Sequence, residues 1–276
     1  LFFDTQISGT NAVSCASCHQ PEYAFSDNKK QSSGVTSKQT RRHSMPLFNL
    51  AWKKAFFWDG RVGSLREQVF HPIQHPDEMN SSVEELMELL NNDSEYRELF
   101  SRAFSPRDVT PDHIGLALEN YLFGLVSYHS RFDDAMAGKA TLTEEEKRGF
   151  KLFMTEYEPR SRRFGADCFH CHGGALFTDN QFHNNGLKQA DDLGRIEFSG
   201  RESDRYKFST PSLRNVALTA PYMHDGSLGT LEEVIRHYSE GIHVSDTLDP
   251  NLAKHPREGI QLSQVDQQAL IAFLET

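Results

Sequence analysis

All four cysteines of this chain fall in two pentapeptides of one pattern, Cys15-Ala16-Ser17-Cys18-His19 and Cys168-Phe169-His170-Cys171-His172. The C-x-x-C-H spacing has a chemical reason. Two thiols separated by two residues can each form a thioether to one edge of a haem, and the following imidazole then lies under the iron as proximal ligand. A dithiol redox pair needs no following His, and both copies have one. Zinc sites built from two C-x-x-C pairs usually keep them about 15–20 residues apart, whereas these pairs lie in different halves of the chain. The expectation is two covalent haem c groups, held by Cys15, Cys18 and His19 and by Cys168, Cys171 and His172.

A chain of 276 residues suits two domains of ordinary size. Hydrophobic residues make up only 37% and the mean hydropathy is -0.59, so two buried porphyrins would supply apolar surface that the side chains lack. The net charge of -10 argues against nucleic acid and anionic membranes as partners, and it permits attraction to a basic electron-donor protein. No stretch approaches a transmembrane helix. The chain opens at Leu1 with neither Met nor leader, which reads as a mature or trimmed form. Covalent haem attachment takes place outside the bacterial cytoplasm, so a periplasmic location is expected.

The two halves repeat. Leu176-Phe177-Thr178-Asp179 answers Ala24-Phe25-Ser26-Asp27, and the stretch 210–217 answers 44–51. His224-Asp225-Gly226 and the residues through Val234 answer Trp58-Asp59-Gly60 through Gln68 without a gap, at an offset of 166 residues that also pairs Asn215 with Asn49. Two mostly helical units follow, residues 1–135 and 141–276, with the polar stretch 131–140 as linker. Helices are expected from near Ser64, after the capping box Ser82/Glu85, from Thr110-Pro111 to about Tyr128, over Lys147–Met154 after Thr143/Glu146, and after a capping box Thr230/Glu233. Residues 28–42 and 156–163 read as exposed loops, the second with a basic cluster at Arg160, Arg162 and Arg163.

The repeat sets the two haems side by side. Leu231, Val234, Ile235 and Tyr238 share one helical face, so Tyr238 points inward while His237 turns aside. An inward Tyr is ordinarily a core aromatic. The offset pairs Tyr238 with Pro72, which has no atom to offer iron. If this position faces the metal in both halves, the first haem is open and the second closed. Gln68, His71 and Glu78 surround Pro72. Cleaving an O–O bond needs a base that moves a proton between the oxygens and polar groups that stabilise charge separation. Glu78 is the candidate base, Gln68 its polar partner, and His71 ranks lower because it aligns with His237. A solvated acid in His75-Pro76-Asp77-Glu78 is the competing reading.

With these residues together, the chain resembles the bacterial dihaem cytochrome c peroxidase/MauG family over essentially its whole length. The resemblance rests on both C-x-x-C-H motifs, Phe57-Trp58-Asp59-Gly60-Arg61, the Gln68, Pro72 and Glu78 series, Pro211-Ser212-Leu213-Arg214-Asn215, the stretch Thr219 to Gly226, and His237-Tyr238. It implies two α-helical cytochrome c-like domains with their haems facing a common interface. The His19 haem would be the peroxide-reactive one and the His172 haem the electron-transfer one. Trp58 matches an electron relay between them, and Gln68, Pro72 and Glu78 match the distal pocket. Asn49, Thr219 and Pro221 match the ligands of a calcium ion, for which oxygen donors are apt. Two departures matter. The loop Gly34 to Thr40 has no His to block the first haem, with His43 at a non-ligating position. The sixth ligand of the second haem, Met in ordinary members, is Tyr238 as in MauG, with Met223 and His224 as competitors. A phenolate favours higher iron oxidation states. The expected activity is oxidation by hydrogen peroxide with electrons from a small cytochrome or cupredoxin. The alternatives are MauG-like oxidation of Trp or Tyr in a partner protein and a non-catalytic dihaem electron carrier.

Overall fold

Short, side-chain-capped helices joined by turns carry this chain, as seen in a computed structural model that describes residues 1–105, 108–188, 191–256 and 258–276. In chain order the helices are α1 (Cys15–Cys18), α2 (Leu65–Gln68), α3 (Phe70–Gln74), α4 (Val83–Asn92), α5 (Ser94–Phe104), α6 (Pro111–Phe123), α7 (Arg131–Met136), α8 (Glu144–Phe153), α9 (Phe169–His172), α10 (Ile196–Ser199), α11 (Leu231–Glu240), α12 (Pro250–Ala253) and α13 (Gln264–Leu274). Two small antiparallel pairs join β1 (Tyr157–Glu158) to β2 (Arg163–Phe164) and β3 (Phe182–His183) to β4 (Phe208–Ser209). The fold is mostly helical. The chain divides into two compact units, residues 1–56 with 62–126 and residues 57–61 with 127–276.

In the first unit, Ser82 caps α4 as expected: its hydroxyl accepts from the Glu85 N–H at 3.1 Å and its own N–H donates to Glu85 Oε2 at 2.8 Å. Leu86 and Leu90 of that helix are buried with Ile73 and Ile114. Pro111 opens α6, which stops at Phe123, short of the expected Tyr128. Gly115 lets α6 lie close on α2, since a Cβ there would meet Arg66 Cγ at 2.6 Å. The Arg66 guanidinium pairs with Glu119 at 2.8 Å.

The stretch 28–42 is more than a solvated loop. Ser32 is fully buried and donates to Asp27 Oδ2 at 2.7 Å, and His43 Nδ1 donates to the Lys29 carbonyl at 2.9 Å. A Cβ on Gly34 would lie 1.9 Å from the Asp77 carbonyl and 2.5 Å from that of Glu78. The loop is therefore clamped onto the Asp77–Glu78 backbone.

In the second unit, Thr143 and Glu146 close the expected capping box, but the helix begins at Glu144, directly after the cap. Phe153 of α8, Ile235 of α11, and Leu270 and Phe273 of α13 form the core, with Phe132, Phe150, Phe177 and Tyr238 packed around them. Helices α8 and α13 touch at Gly149, where a Cβ would sit 1.9 Å from the Ala269 carbonyl. Alanine is the better helix former by about 1 kcal/mol, yet it has no room against that backbone. Gly149→Ala is therefore expected to cost about 1–3 kcal/mol of stability. The measurement is the thermal midpoint of the holoprotein, and an unchanged or raised midpoint would refute this close contact.

Three readings from the sequence change here. The polar stretch after Ser130 is not all linker: its first part is α7, whose Asp133 accepts from both terminal nitrogens of Arg214 at 2.7 and 2.9 Å. The segment 156–163 enters a β1–β2 hairpin. Thr230 caps α11, but Glu233 Oε2 accepts from the Gly229 N–H instead of closing a box with Thr230.

The Arg214 guanidinium holds the Asp133 carboxyl at about 2, below its ordinary 3.8. A carboxyl lowered by folding stabilises the fold above its ordinary value and loses that contribution as pH falls through the folded value. Because the pair is partly exposed, its worth is about 1 kcal/mol or less. The midpoint difference between the native protein and Asp133→Asn should thus be present at pH 5–7 and disappear toward pH 2. A difference that persists at pH 2 would rule out the ion pair as its source.

Candidate functional site

The first unit gathers its chemistry in one pocket. Ser14 and Ser17 bond across the start of α1, with Ser14 N–H donating to Ser17 Oγ at 3.0 Å, and the single turn presents Cys15, Cys18 and His19. His19 Nδ1 lies 2.9 Å from the carbonyl oxygen of Phe25. A carbonyl only accepts, so Nδ1 carries the proton and Nε2 keeps the lone pair that binds a metal. Burial pushes the imidazole below its ordinary pKa, which favours the neutral ligand form. The same pocket is lined by Gln68, Pro72 and Glu78, with Leu47, Val69 and Leu118 among its apolar walls. Thus the four residue positions that the sequence singles out as proximal ligand and distal groups face one cavity. His71 is exposed and is absent from that lining.

Three short elements deliver the distal groups. Gln68 ends α2, Pro72 lies in α3, and Glu78 follows in a turn whose N–H bonds back to the His75 carbonyl at 3.0 Å. The Glu78 carbonyl accepts from Val35 N–H at 2.8 Å. Its backbone is therefore fixed from both sides while the side chain borders the pocket.

The second unit repeats the proximal arrangement. His172 closes α9 and its Nδ1 donates to the Phe177 carbonyl at 3.2 Å. Burial pushes its pKa down to about 4. Phe25 and Phe177 both have positive φ, +58° and +51°, so each chain turn aims its carbonyl back at the imidazole. Burial pushes the Cys15 and Cys168 thiols up to about 11 and about 12, leaving them neutral thiols rather than reactive thiolates. A pair of thiols two residues apart and a tautomer-fixed imidazole in each unit fit a covalently attached haem.

Tyr238 lies on α11 and packs against the core of the second unit, with burial pushing its phenol up to about 12. His237 does not turn aside to solvent. It is buried, and its Nε2 donates to the Asn185 carbonyl at 3.1 Å. The alignment of His71 with an outward His237 therefore fails. Asn185 itself had no role in the sequence. Its Nδ2 donates to Tyr238 Oη and to Met223 Sδ, both at 3.3 Å. His183 was also missed: it is held between Asp249 at 2.5 Å and Asp179 at 2.8 Å. Chiefly Asp249, with Cys171 and Asp179 beside it, pushes this imidazole up to about 11. Asp179 lies only four residues from His183, but Asp249 lies 66 residues away, so local spacing shows only half of the clamp.

Trp58 is buried in the second unit, within the inserted segment 57–61. Its carbonyl accepts from Ser209 N–H at 2.7 Å, and its ring meets that of His224 edge-on at 6.4 Å. His224 in turn stacks on Phe208 at 3.6 Å. Of the candidate calcium ligands, Asn49 belongs to the first unit and Thr219 and Pro221 to the second.

The family model for di-haem cytochrome c peroxidases matches residues 1–141. A methylamine utilization protein MauG from Methylorubrum extorquens is 39% identical over 280 residues, covering 100% of this chain and 75% of that protein. A cytochrome c551 peroxidase from Nitrosomonas europaea is 34% identical, covering 85% of this chain and 69% of that protein. Among solved structures, a MauG-like protein associated with microbial copper homeostasis superposes with a TM-score of 0.87 at 34% identity, over 100% of this chain and 86% of that one.

Proposed function

The chain belongs to the bacterial dihaem cytochrome c peroxidase/MauG family, and from that premise we propose a division of labour between its two units. The protein is a peroxide-dependent oxidoreductase with haem c as cofactor. One haem is carried by Cys15, Cys18 and His19 and one by Cys168, Cys171 and His172. When bound, the haems supply the redox-active iron for peroxide reduction and for electron storage. The observation that carries the reading is the convergence of Gln68, Pro72 and Glu78 on the pocket of Cys15, Cys18 and His19.

Glu78 moves a proton from one peroxide oxygen to the other, so that the departing oxygen leaves as water. Gln68 offers its amide N–H to the charge that develops there. Pro72 brings no competing ligand and shapes an open distal side. In the second unit Tyr238 would hold the haem iron through its phenol oxygen, at the position that Pro72 takes in the repeat, and Asn185 Nδ2 donates to that oxygen. Trp58 passes electrons between the two sites. Reducing one peroxide to two waters takes two electrons and two protons. A small cytochrome c or cupredoxin supplies the electrons in the peroxidase reading, and Trp or Tyr residues of a partner protein supply them in the MauG-like reading. Tyr238 and the absence of His from residues 34–40 favour the second. A calcium ion held by Asn49, Thr219 and Pro221 and a periplasmic location complete the proposal. Among the described residues no helix is long and apolar enough to cross a membrane.

The test is stopped-flow absorption of the fully oxidised holoprotein mixed with one equivalent of hydrogen peroxide. A fast spectral change without reductant supports the open first site and the closed second one. Reaction only after partial reduction returns the chain to the reductively activated peroxidases. No reaction in either state leaves the electron carrier.

A further inference from the structure

Outside both haem cradles, the second unit concentrates five ionisable side chains where the β1–β2 hairpin meets the start of α9. His170 Nε2 lies 3.2 Å from Glu156 Oε2 and 3.5 Å from Asp167 Oδ1. One donor atom each from Glu156, Asp167 and His170 can be enclosed within 4.8 Å of one another. His255 Nε2 is 3.0 Å from Asp167 Oδ2. Lys254 Nζ reaches Glu156 Oε1 at 2.5 Å and Asp167 Oδ2 at 3.1 Å.

A second observation points to a missing ligand. The Asp167 side chain is 2% exposed and that of His255 is 0% exposed. Among the described residues, six buried side-chain polar atoms make no hydrogen bond, and four of them are here: Asp167 Oδ2, His170 Nε2, and both ring nitrogens of His255. Asp167 Oδ2 and His255 Nε2 approach each other at 3.0 Å, and His170 Nε2 approaches Glu156 Oε2 at 3.2 Å, but without hydrogen-bond alignment. Leaving such atoms unsatisfied in a buried place is unfavourable, and structures rarely cluster them without a reason.

We propose that Glu156, Asp167 and His170 form a binding site for a divalent transition-metal cation such as Zn²⁺, with the buried His255 holding Asp167 from behind. A mixed set of an imidazole nitrogen and carboxylate oxygens suits such an ion better than calcium or magnesium. Lys254 is the built-in competitor. Its ammonium holds the carboxylates together in the cation's absence, and with its side chain 30% exposed it can turn into water when the cation enters. His170 is free for this role, being neither a thioether cysteine nor the proximal His of its motif. None of these donors takes part in the peroxide chemistry, so the site stands or falls independently of that reading.

The test uses the holoprotein, stripped with a chelator and then kept in excess calcium so that any oxygen-only site is filled. Zn²⁺ is titrated against a chromophoric chelator. The expected result is one bound equivalent, weakened roughly 10-fold or more in His170→Ala and tightened in Lys254→Met. The haem absorption and thermal midpoint of each variant establish that it is folded. Cu²⁺ bound to the native protein should give an electron paramagnetic resonance signal with nitrogen hyperfine splitting that His170→Ala loses. Absence of the bound equivalent, equal affinity in native protein and His170→Ala, or unchanged or weaker binding in Lys254→Met overturns the site.

Discussion

Replacing Glu78 by Gln is expected to slow the reaction of the oxidised holoprotein with hydrogen peroxide by roughly 10²–10⁴-fold, the range for loss of a positioned acid–base group. Gln keeps the size of the side chain and removes the carboxylate that accepts and returns a proton. The backbone should not move, because the Val35 N–H and the close approach of Gly34 both hold the Glu78 carbonyl, independent of the side chain. Haem content and the absorption of the resting protein should therefore match the native ones, while the second-order rate with peroxide falls. Asp77→Asn is the control, since Asp77 pairs with Lys38 at 3.0 Å rather than lining the pocket. Equal peroxide rates in Glu78→Gln and native protein would remove Glu78 from the mechanism.

The second large effect is expected from Tyr238→Met. On the proposed ligation, this change exchanges a hard anionic donor for a soft neutral one at the same place on α11. Axial ligands move haem potentials across a range of about 0.8 V, so the second haem should become easier to reduce by on the order of 100 mV or more. Spectroelectrochemistry of the holoprotein reads this directly. Stopped flow should then show that the fully oxidised variant no longer delivers two oxidising equivalents from one peroxide. Met is flexible and fills irregular space, and Tyr238 lies at the edge of the core rather than at its centre, so the fold should survive. Identical potentials in variant and native protein would show that Tyr238 is a core aromatic after all.

Much of this was legible because it is local. A C-x-x-C-H motif and a Ser or Thr three residues before a Glu are short-range patterns; the capped starts of α4, α8 and α11 follow the second, and Thr110-Pro111 marks that of α6. What failed is long-range. The pairing of Asp133 with Arg214 is of this kind, whereas α7 itself was missed despite a local capping box between Ser130 and Asp133. Ser32 belongs to a polar surface sequence yet is buried by Asp27 and Ser44. Helical periodicity pointed His237 outward, but the turn at Asn184-Asn185-Gly186 comes over it and offers the Asn185 carbonyl. The grouping of Gln68, Pro72 and Glu78 on the His19 pocket was suggested by the repeat, which pairs Pro72 with Tyr238, and by the family resemblance. Asn185 and the Glu156, Asp167, His170 cluster had no counterpart in the first half from which to be inferred.

The inserted segment 57–61 bears on how this molecule can be taken apart. Phe56 and Val62 close its base within the first unit, with Phe56 N–H donating to the Val62 carbonyl at 2.8 Å. Between them the chain lends Trp58, Asp59 and Gly60 to the second unit, where Arg195 Nη1 donates to the Asp59 carbonyl at 2.7 Å and Gly60 abuts the Phe182 ring. A gene fragment beginning at Ser127 would therefore encode an unfinished product, lacking the acceptors for Ser209 and Arg195 and the ring beside His224. On the ribosome, too, the early pentapeptide must wait for residues made more than a hundred positions later. Protease cleavage after Val126 should leave two pieces that remain associated until denatured, and the second half is not a free-standing module for recombination.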